Sequence, residues 1–409
     1  MRAMTDKMVW DALVVGCGPA GAVAGRELAR RGFKVLIIEE HREVGRPVQC
    51  AGLVTRRVLE IVPAADSVLN SLRSAELIAP GGGSLVFGGG GERAVVLDRA
   101  RFDRIAAESA IEAGCSLMLG AQVTGQRQLP GGTGLPGGAV ELELAGHSGA
   151  PRVRGRLVIG ADGVQSRLAR SLGIRPPAEI LPGFEARLAG LSGPEDVVRI
   201  LVGRDVAPGF FAWLIPIGDG GGLLGLCCQP GGVPARDYLE RLRRNPALAP
   251  YVGSARTVAY LAGSVPLSPS SASFAERALL VGDAAGQVKP ISGGGLYTGT
   301  LCARMAAEVA AEALEDEDVS RERLSVYEKR WKKALGRELN MGRRIRKAYV
   351  HVTDAHMDEL VRMLDRPKLL ALISARGDID APSELAKLLF RQAPRLLKFA
   401  GPFIKSLFE

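Results

Sequence analysis

The sequence predicts a mixed α/β (α+β) protein in which a parallel sheet of βαβ units is interleaved with an antiparallel sheet and followed by helices. Three observations predict it. Residues 8–39 read strand, glycine-rich turn, helix, strand, the opening of a doubly wound sheet. Residues 75–97 and 180–265 consist instead of short apolar or alternating runs divided by glycine turns, a pattern that cannot extend a sheet of βαβ units. Beyond Glu315 the chain becomes charged and helical.

At 409 residues the chain is too long for one simple core, and two interleaved domains with a C-terminal extension are expected. Hydrophobic residues make up 47%, enough for a large core, and the net charge of +9 suits nucleic acid, an anionic membrane surface or acidic substrates. Nucleic acid is the weakest of these, because zinc-finger spacing and a compact basic helix with aromatic interleaving are both missing. The six cysteines (Cys17, Cys50, Cys115, Cys227, Cys228, Cys302) form no C-x-x-C, which reads as cytoplasmic use of free thiols. The first strand begins too early to leave room for a signal peptide, with Met4 and Met8 as alternative starts. No apolar run reaches the roughly 20 residues of a transmembrane helix. His41, His147, His351 and His356 show no pairing suited to a metal, so none is expected.

Taken in order, Ala12–Val15 is a buried strand that runs into Gly16-Cys17-Gly18-Pro19-Ala20-Gly21, a G-x-G-x-x-G. One glycine permits the tight turn, one lets a pyrophosphate lie on bare backbone, and the third lets the next helix pack close. That helix, Gly21–Arg31, points its N-terminal N–H groups at the phosphates. The strand Lys34–Glu39 ends in an acid at the ~20-residue distance of a ribose ligand, which makes the unit a Rossmann-like dinucleotide site. A loop, 41–52, follows and lies near the dinucleotide by topology; 53–62 reads as helix. Short strands at 75–79, 84–87 and 94–97 open the antiparallel region. Residues 98–114 are helical, 116–119 and 122–124 are strands, and 131–138 is a hairpin tip. A buried strand at 153–159 ends in Gly160-Ala161-Asp162-Gly163, and a helix follows at 166–172. Strands at 184–189, 197–202, 210–217 and 223–228 belong to a β region of 180–265 that a helix at 234–245 interrupts. The buried strand 278–281 ends at Asp283, an acid whose position demands a polar partner. Pro290–Gly295 then leads into a helix over 296–313. In the last segment, 383–409, Lys387, Arg391, Arg395 and Lys398 recur at helical spacing. Such a segment packs on the body with a solvated basic face, or lies on an anionic bilayer as a peripheral contact.

Gly16–Gly21, Arg99-Ala100-Arg101-Phe102-Asp103, Gly160–Gly163 and Gly282-Asp283 together resemble the FAD-dependent oxidoreductases of the p-hydroxybenzoate hydroxylase fold. Gly45-Arg46-Pro47-Val48-Gln49-Cys50-Ala51-Gly52, Phe211-Ala212-Trp213-Leu214-Ile215-Pro216 and Pro290–Gly295 narrow the likeness to the geranylgeranyl reductase family, over roughly residues 8–340. The resemblance implies an FAD-binding domain of 8–74, 98–178 and 275–335, a substrate domain of 75–97 and 179–274, and a C-terminal helical region, 336–409. It implies that Gly16, Gly18, Ala20 and Gly21 meet the pyrophosphate and Glu39 the adenosine ribose. Cys50, Ala51 and Gly52 would lie beside the flavin, and Arg99 and the Val123 backbone against the cofactor. Asp283 would bind the ribityl chain or pyrophosphate, and Gly295 and Leu296 would offer N–H groups to the isoalloxazine, where a helix dipole favours anionic reduced flavin. Asp162 either touches the cofactor or orients its turn. The chain departs from the family pattern at Phe211, where Tyr is usual, at Ile215, where Phe is usual, and at Gly225-Leu226-Cys227 in place of Gly-x-Gly.

The implied reaction is saturation of isolated alkenes in a polyprenyl or geranylgeranyl chain of a lipid or prenyl diphosphate, in a dry apolar site. Phe210, Phe211, Trp213, Leu214 and Ile215 are the candidate floor, or else ordinary core. Cys50 is a proton donor, a pocket wall or simply a small buried residue. The donor of electrons is NAD(P)H, a ferredoxin or another low-potential carrier. The expected location is cytoplasmic, with or without peripheral membrane contact. Rival readings are a flavin monooxygenase of the same fold, a menaquinone side-chain reductase and a non-catalytic prenyl escort.

Overall fold

The computed structural model describes residues 8–132, 137–146 and 152–381, and Leu385, Leu388, Leu389 and Arg391 beyond them. The basic stripe expected at 383–409 therefore lies almost wholly outside the described residues.

The chain begins with β1 (Val9–Val15), α1 (Pro19–Ala29) and β2 (Val35–Glu39), then β3 (Leu53–Val54) and α2 (Arg57–Ile61). Four strands follow: β4 (Val68–Leu72), β5 (Ser74–Ile78), β6 (Ser84–Gly88) and β7 (Ala94–Leu97). After α3 (Arg99–Glu112) come β8 (Ser116–Leu119), β9 (Gln122–Leu129), β10 (Ala139–Ala145), β11 (Arg152–Gly160) and α4 (Arg167–Ser171). The second half holds β12 (Ile180–Ala189), β13 (Val197–Val202), β14 (Phe211–Gly218) and β15 (Gly221–Cys227). Next are α5 (Ala235–Arg243), α6 (Ala249–Val252), β16 (Arg256–Pro266), β17 (Phe274–Ala275) and β18 (Ala278–Leu280). The chain closes with α7 (Leu296–Glu315), α8 (Arg321–Tyr349), α9 (Asp354–Leu364) and α10 (Pro367–Arg376).

These strands make three sheets. In the first, β18, β11, β1, β2 and β8 run parallel, with β17 and the β9–β10 hairpin added antiparallel. Its central strands are buried on both faces, which is why Ala12–Val15 of β1 and Val35–Ile38 of β2 read as unbroken apolar runs. Small side chains on α1 and α7 (Ala22, Ala24, Ala303, Ala306, Ala310) let these helices pack closely over the sheet. The second sheet has the order β16-β12-β15-β14-β13-β5-β6 and is antiparallel except where β5 pairs parallel with β13. The third is β3-β7-β4.

Three readings of the sequence change. Residues 53–62 are not one helix: Leu53 and Val54 pair with Val96 and Val95, and only Arg57–Ile61 is helical. The β-branched Val54-Thr55 pair suits a strand better than a helix. The strand Ala94–Leu97 does not join the large antiparallel sheet with its neighbours. All four of its residues are buried, so it belongs between layers, and it is the centre of the small third sheet. Leu214 faces away from Trp213 across the sheet, into a core under α5, as the period of two requires.

The helices α9 and α10 pack on β5 and β6 through Val361, Leu364, Leu369 and Ile373. No helix among the described residues is long and apolar enough to cross a membrane.

Candidate active site

A cavity of about 1260 Å³ runs from the glycine turn after β1 to the face of the large antiparallel sheet. Its first wall is that turn. A Cβ on Gly21 would come within 2.0 Å of the Gly16 carbonyl oxygen, and Gly16 itself has φ +97 with its Cβ position 2.4 Å from the Ala161 oxygen. Gly18 differs: a Cβ there meets no atom within 4 Å, so its bare backbone faces the open cavity beside Pro19 and Ala20. This is the cradle a pyrophosphate requires.

Glu39 stands behind the turn. Its carboxylate accepts the Cys17 N–H at 2.8 Å and the His41 backbone N–H at 2.9 Å, and His41 Nδ1 lies 2.7 Å away. It holds the phosphate turn directly, a role the sequence did not suggest. Cys17 is buried in the core and burial pushes its thiol far up, so it fills space.

The loop after β2 reaches the cavity through Gln49, Cys50, Ala51 and Gly52. Gly52 has φ +72 and its Cβ position is 2.5 Å from the Leu97 oxygen, so only glycine brings the loop this close to β7. Cys50 is exposed and its Sγ accepts the Gly52 N–H at 3.4 Å. Arg99, at the start of α3, grips Asp103 with Nε at 3.0 Å and Nη2 at 2.9 Å and also meets Cys50.

Across the cavity, Asp283 follows β18. Half-buried in the wall, its carboxyl accepts no hydrogen bond from a described residue. Burial pushes its pKa up to about 6, with nearby Arg99 pulling the other way. A carboxyl that meets a neighbouring charge but no hydrogen-bond donor is costly at a cavity wall unless a ligand supplies hydroxyl or N–H partners. Beside it, Gly293, Gly294, Gly295 and Leu296 line the cavity at the N-terminus of α7, where Gly295 makes no side-chain cap and leaves the first N–H groups free.

The far wall is the sheet face. Phe211, Trp213 and Ile215 of β14 point into the cavity, with Ile200 of β13 and Leu261 of β16. Phe210 stacks on Phe211 at 4.3 Å between centroids, and Phe211 meets Trp213 edge-on at 6.1 Å. Of the vicinal pair, Cys227 lines the cavity and Cys228 is in the core under α5.

Five predicted residues lie off the cavity lining: Gly16, Gly21 and Glu39, which shape and hold the turn behind it, and Val123 and Asp162. The Val123 side chain is in the core beneath the parallel sheet. Asp162 accepts from Ser166 Oγ at 2.6 Å and from the Leu168 N–H at 3.1 Å, so it orders the start of α4; burial pushes its pKa up against those bonds. Other wall residues escaped the sequence reading. Glu185 of β12 is a lone acid among apolar positions, and that anomaly was the available signal. Arg346 of α8 donates to Glu179 at 2.6 Å and to the Gly209 carbonyl at 2.7 Å. Residues 373–380 close the outer end, where Asp378 pairs with Arg57 at 2.7 Å and Asp380 with Lys289 at 2.5 Å.

Comparison with known proteins bears on this cavity. A family described as an FAD binding domain matches residues 10–183. The digeranylgeranylglycerophospholipid reductase 2 of Methanopyrus kandleri is 33% identical over 97% of this chain and all of its own length. The digeranylgeranylglycerophospholipid reductase of Methanosarcina acetivorans is 33% identical over 88% of this chain and 90% of its own. A geranylgeranyl bacteriochlorophyll reductase-like protein of Thermoplasma acidophilum superposes with a TM-score of 0.84 at 26% identity, covering 97% of this chain and 99% of that one. A p-nitrophenol 4-monooxygenase of Pseudomonas putida, at 16% identity and a TM-score of 0.69 over 90% of this chain and 97% of its own, shares the fold. The glycine cradle, the unpaired Asp283 and the free helix N-terminus fit FAD, and the chain is an FAD-dependent oxidoreductase that belongs to the geranylgeranyl reductase family.

Proposed function

We propose that this enzyme saturates carbon–carbon double bonds in the geranylgeranyl or other polyprenyl chains of a lipid or prenyl diphosphate. Reduced FAD, when bound, supplies the hydride for such chemistry. The observation that carries the reading is the continuity of one cavity, polar at Gly18–Ala20 and Asp283 and apolar along Phe211, Trp213, Ile200 and Leu261. The names of the two archaeal relatives point the same way.

In this reading Gly16, Gly18, Ala20 and Gly21 hold the pyrophosphate, and Glu39 fixes the turn and meets the adenosine ribose, with the Val123 backbone behind it. Asp283 takes the ribityl hydroxyls or the pyrophosphate. The N–H groups at Gly295 and Leu296 face the isoalloxazine, where the helix dipole stabilises negative charge. Cys50, Ala51 and Gly52 wall the flavin on one side, and Arg99, anchored by Asp103, keeps that loop in place. Phe211 and Trp213 align the chain and keep water out, because an alkene without a carbonyl needs orientation more than polarisation. A low-potential carrier supplies the electrons. The basic sequence of 383–409 gives a lipid-metabolising enzyme a means of peripheral contact with an anionic membrane.

Anaerobic mixing tests the reading. A geranylgeranyl glycerophospholipid added to the chemically reduced yellow protein should return the oxidised flavin spectrum without oxygen. Oxygen-dependent reoxidation stimulated only by phenols would instead mark a monooxygenase, and a colourless protein that cannot take up FAD would contradict the enzyme reading.

A further inference from the structure

Saturating an isolated alkene takes hydride at one carbon and a proton at the other. Resting on the reductase reading above, we propose that Glu185 is the catalytic acid that delivers the proton.

Register places it for this. On β12, Glu185 is opposite Gly225 of β15, and Gly225 is opposite Trp213 of β14; on its other side Glu185 faces Leu261 of β16. All share the face that lines the cavity. Gly225 leaves a gap in the middle of this row, and the Trp213 indole lies across it: a Cβ on Gly225 would be 2.7 Å from the ring. The indole thereby reaches past β15 toward β12, the two side chains together bridging two strand spacings, ~10 Å, and its Nε1–H donates to Glu185 Oε2 at 2.7 Å. An indole N–H can only donate, so Oε2 is an acceptor and a proton on the carboxyl resides on Oε1. No hydrogen bond from a described residue reaches Oε1. The residue is 5% exposed and lies in the cavity wall.

The surroundings keep the proton on. Burial pushes the carboxyl up to about 7, with the indole N–H pulling the other way. The titratable group beside Glu185 is Cys227 on β15, which also meets Cys50 of the 41–52 loop; Gln49 of that loop comes down on the sheet, its oxygen 2.9 Å from where a Cβ on Gly263 of β16 would be. Arg346 acts on Cys227, and Glu185 makes no ion pair with a described residue. A purely structural role does not call for an acid here, because a glutamine oxygen would accept the same indole bond without the burial penalty. Cys50, the donor the sequence suggested, is exposed and engaged by the Gly52 N–H and by Arg99.

The balance is complete. Hydride, with two electrons from reduced FAD, forms one new C–H bond, and the alkene π pair takes the Oε1 proton to form the other. The O–H pair stays on Glu185 as carboxylate, which is reprotonated from solvent through the cavity mouth, and FAD is left oxidised for the external donor.

Two readouts test this. In protein without FAD, infrared titration should show a protonated-carboxyl band lost with a midpoint near 7, absent in Glu185→Gln and shifted upward in Trp213→Phe, where the indole bond is gone. In single turnover of the chemically reduced holoenzyme on a geranylgeranyl lipid, Glu185→Gln should slow saturation by about 100-fold or more and lose the fall in rate above pH 7, while Glu185→Asp keeps that fall. Absence of the band, or wild-type rate and pH profile in a Glu185→Gln protein that still holds FAD, would overturn the assignment. A wild type that leaves every lipid unreduced would instead overturn the reductase reading beneath it.

Discussion

The two halves of the cavity are built by opposite means. The cofactor side is made of backbone: Gly16, Gly18 and Gly21 are close in sequence, and their function is the absence of side chains. The sheet side is made of side chains from distant segments, brought into one row by register: Leu261, Glu185, Gly225, Trp213 and Ile200 come from five strands. A glycine serves both, as bare backbone open to the cavity in one, where we propose a phosphate lies, and as the gap that admits an indole in the other. The first arrangement should fail sharply when a single methyl is added. The second should fail in proportion to how far the row is displaced.

The largest expected effect is at the turn. Gly21→Ala places a methyl 2.0 Å from the Gly16 oxygen, so the protein should purify colourless, with FAD affinity reduced by about 100-fold or more. Retention of stoichiometric flavin, read from its absorbance, would break the contrast between the two halves.

Next comes a linkage effect on the sheet side. The folded-state pKa of Glu185 is raised to about 7 from 4.5, so the folded protein binds that proton more tightly than the unfolded chain does. The stability this contributes is fully present below 4.5 and is lost as pH rises to about 7. Denaturant titrations without FAD should therefore show Glu185→Gln gaining on wild type across that window, by up to about 3 kcal/mol. Parallel pH profiles for the two proteins would contradict the buried acid.

Filling the gap in the row is a smaller change. Gly225→Leu should push the Trp213 ring off Glu185, destabilise the fold by about 1–3 kcal/mol and depress turnover while leaving flavin content intact. Asp283→Asn should weaken FAD by about tenfold, the scale of one charge-assisted hydrogen bond. It should also stabilise the FAD-free protein as pH rises from 3.8 to about 6, because the folded-state pKa of Asp283 is raised in the same sense. The smallest effect belongs to the exposed Arg56–Glu92 pair at the cavity mouth: Arg56→Gln should change stability by less than about 0.5 kcal/mol.

The same contrast explains what could be read from the sequence. The strand–turn–helix at the N-terminus, the strands at 197–202 and 211–218 and the helix from Leu296 were all legible, because each rests on local periodicity or glycine placement. Asp283 was legible as an acid at the end of a buried strand. Glu185 was not singled out, because its meaning depends on which residues stand one and two strands away, and pairing register is not written in either strand alone. The parallel pairing of β5 with β13 and the placement of Ala94–Leu97 in a separate sheet were hidden for the same reason. Asp162 showed the right type and place for a ligand contact, yet its oxygens are taken by Ser166 and the Leu168 N–H. Residues 373–380 reach the cavity only through the packing of α9 and α10 on β6, a contact between segments far apart in the chain.

The central claim is that both halves act on one substrate, with hydrogen from the cofactor side ending on an apolar chain held by the sheet side. Mass spectrometry of a geranylgeranyl lipid, a prenyl diphosphate and a menaquinone after incubation with chemically reduced enzyme tests it most directly. At least one of them should gain mass in whole pairs of hydrogens, both of them deuterium when the enzyme is reduced and the reaction is run in deuterium oxide, because the N–H of reduced flavin and the acid proton both exchange with solvent. Unchanged masses for all three, from a protein that retains FAD, would contradict the account.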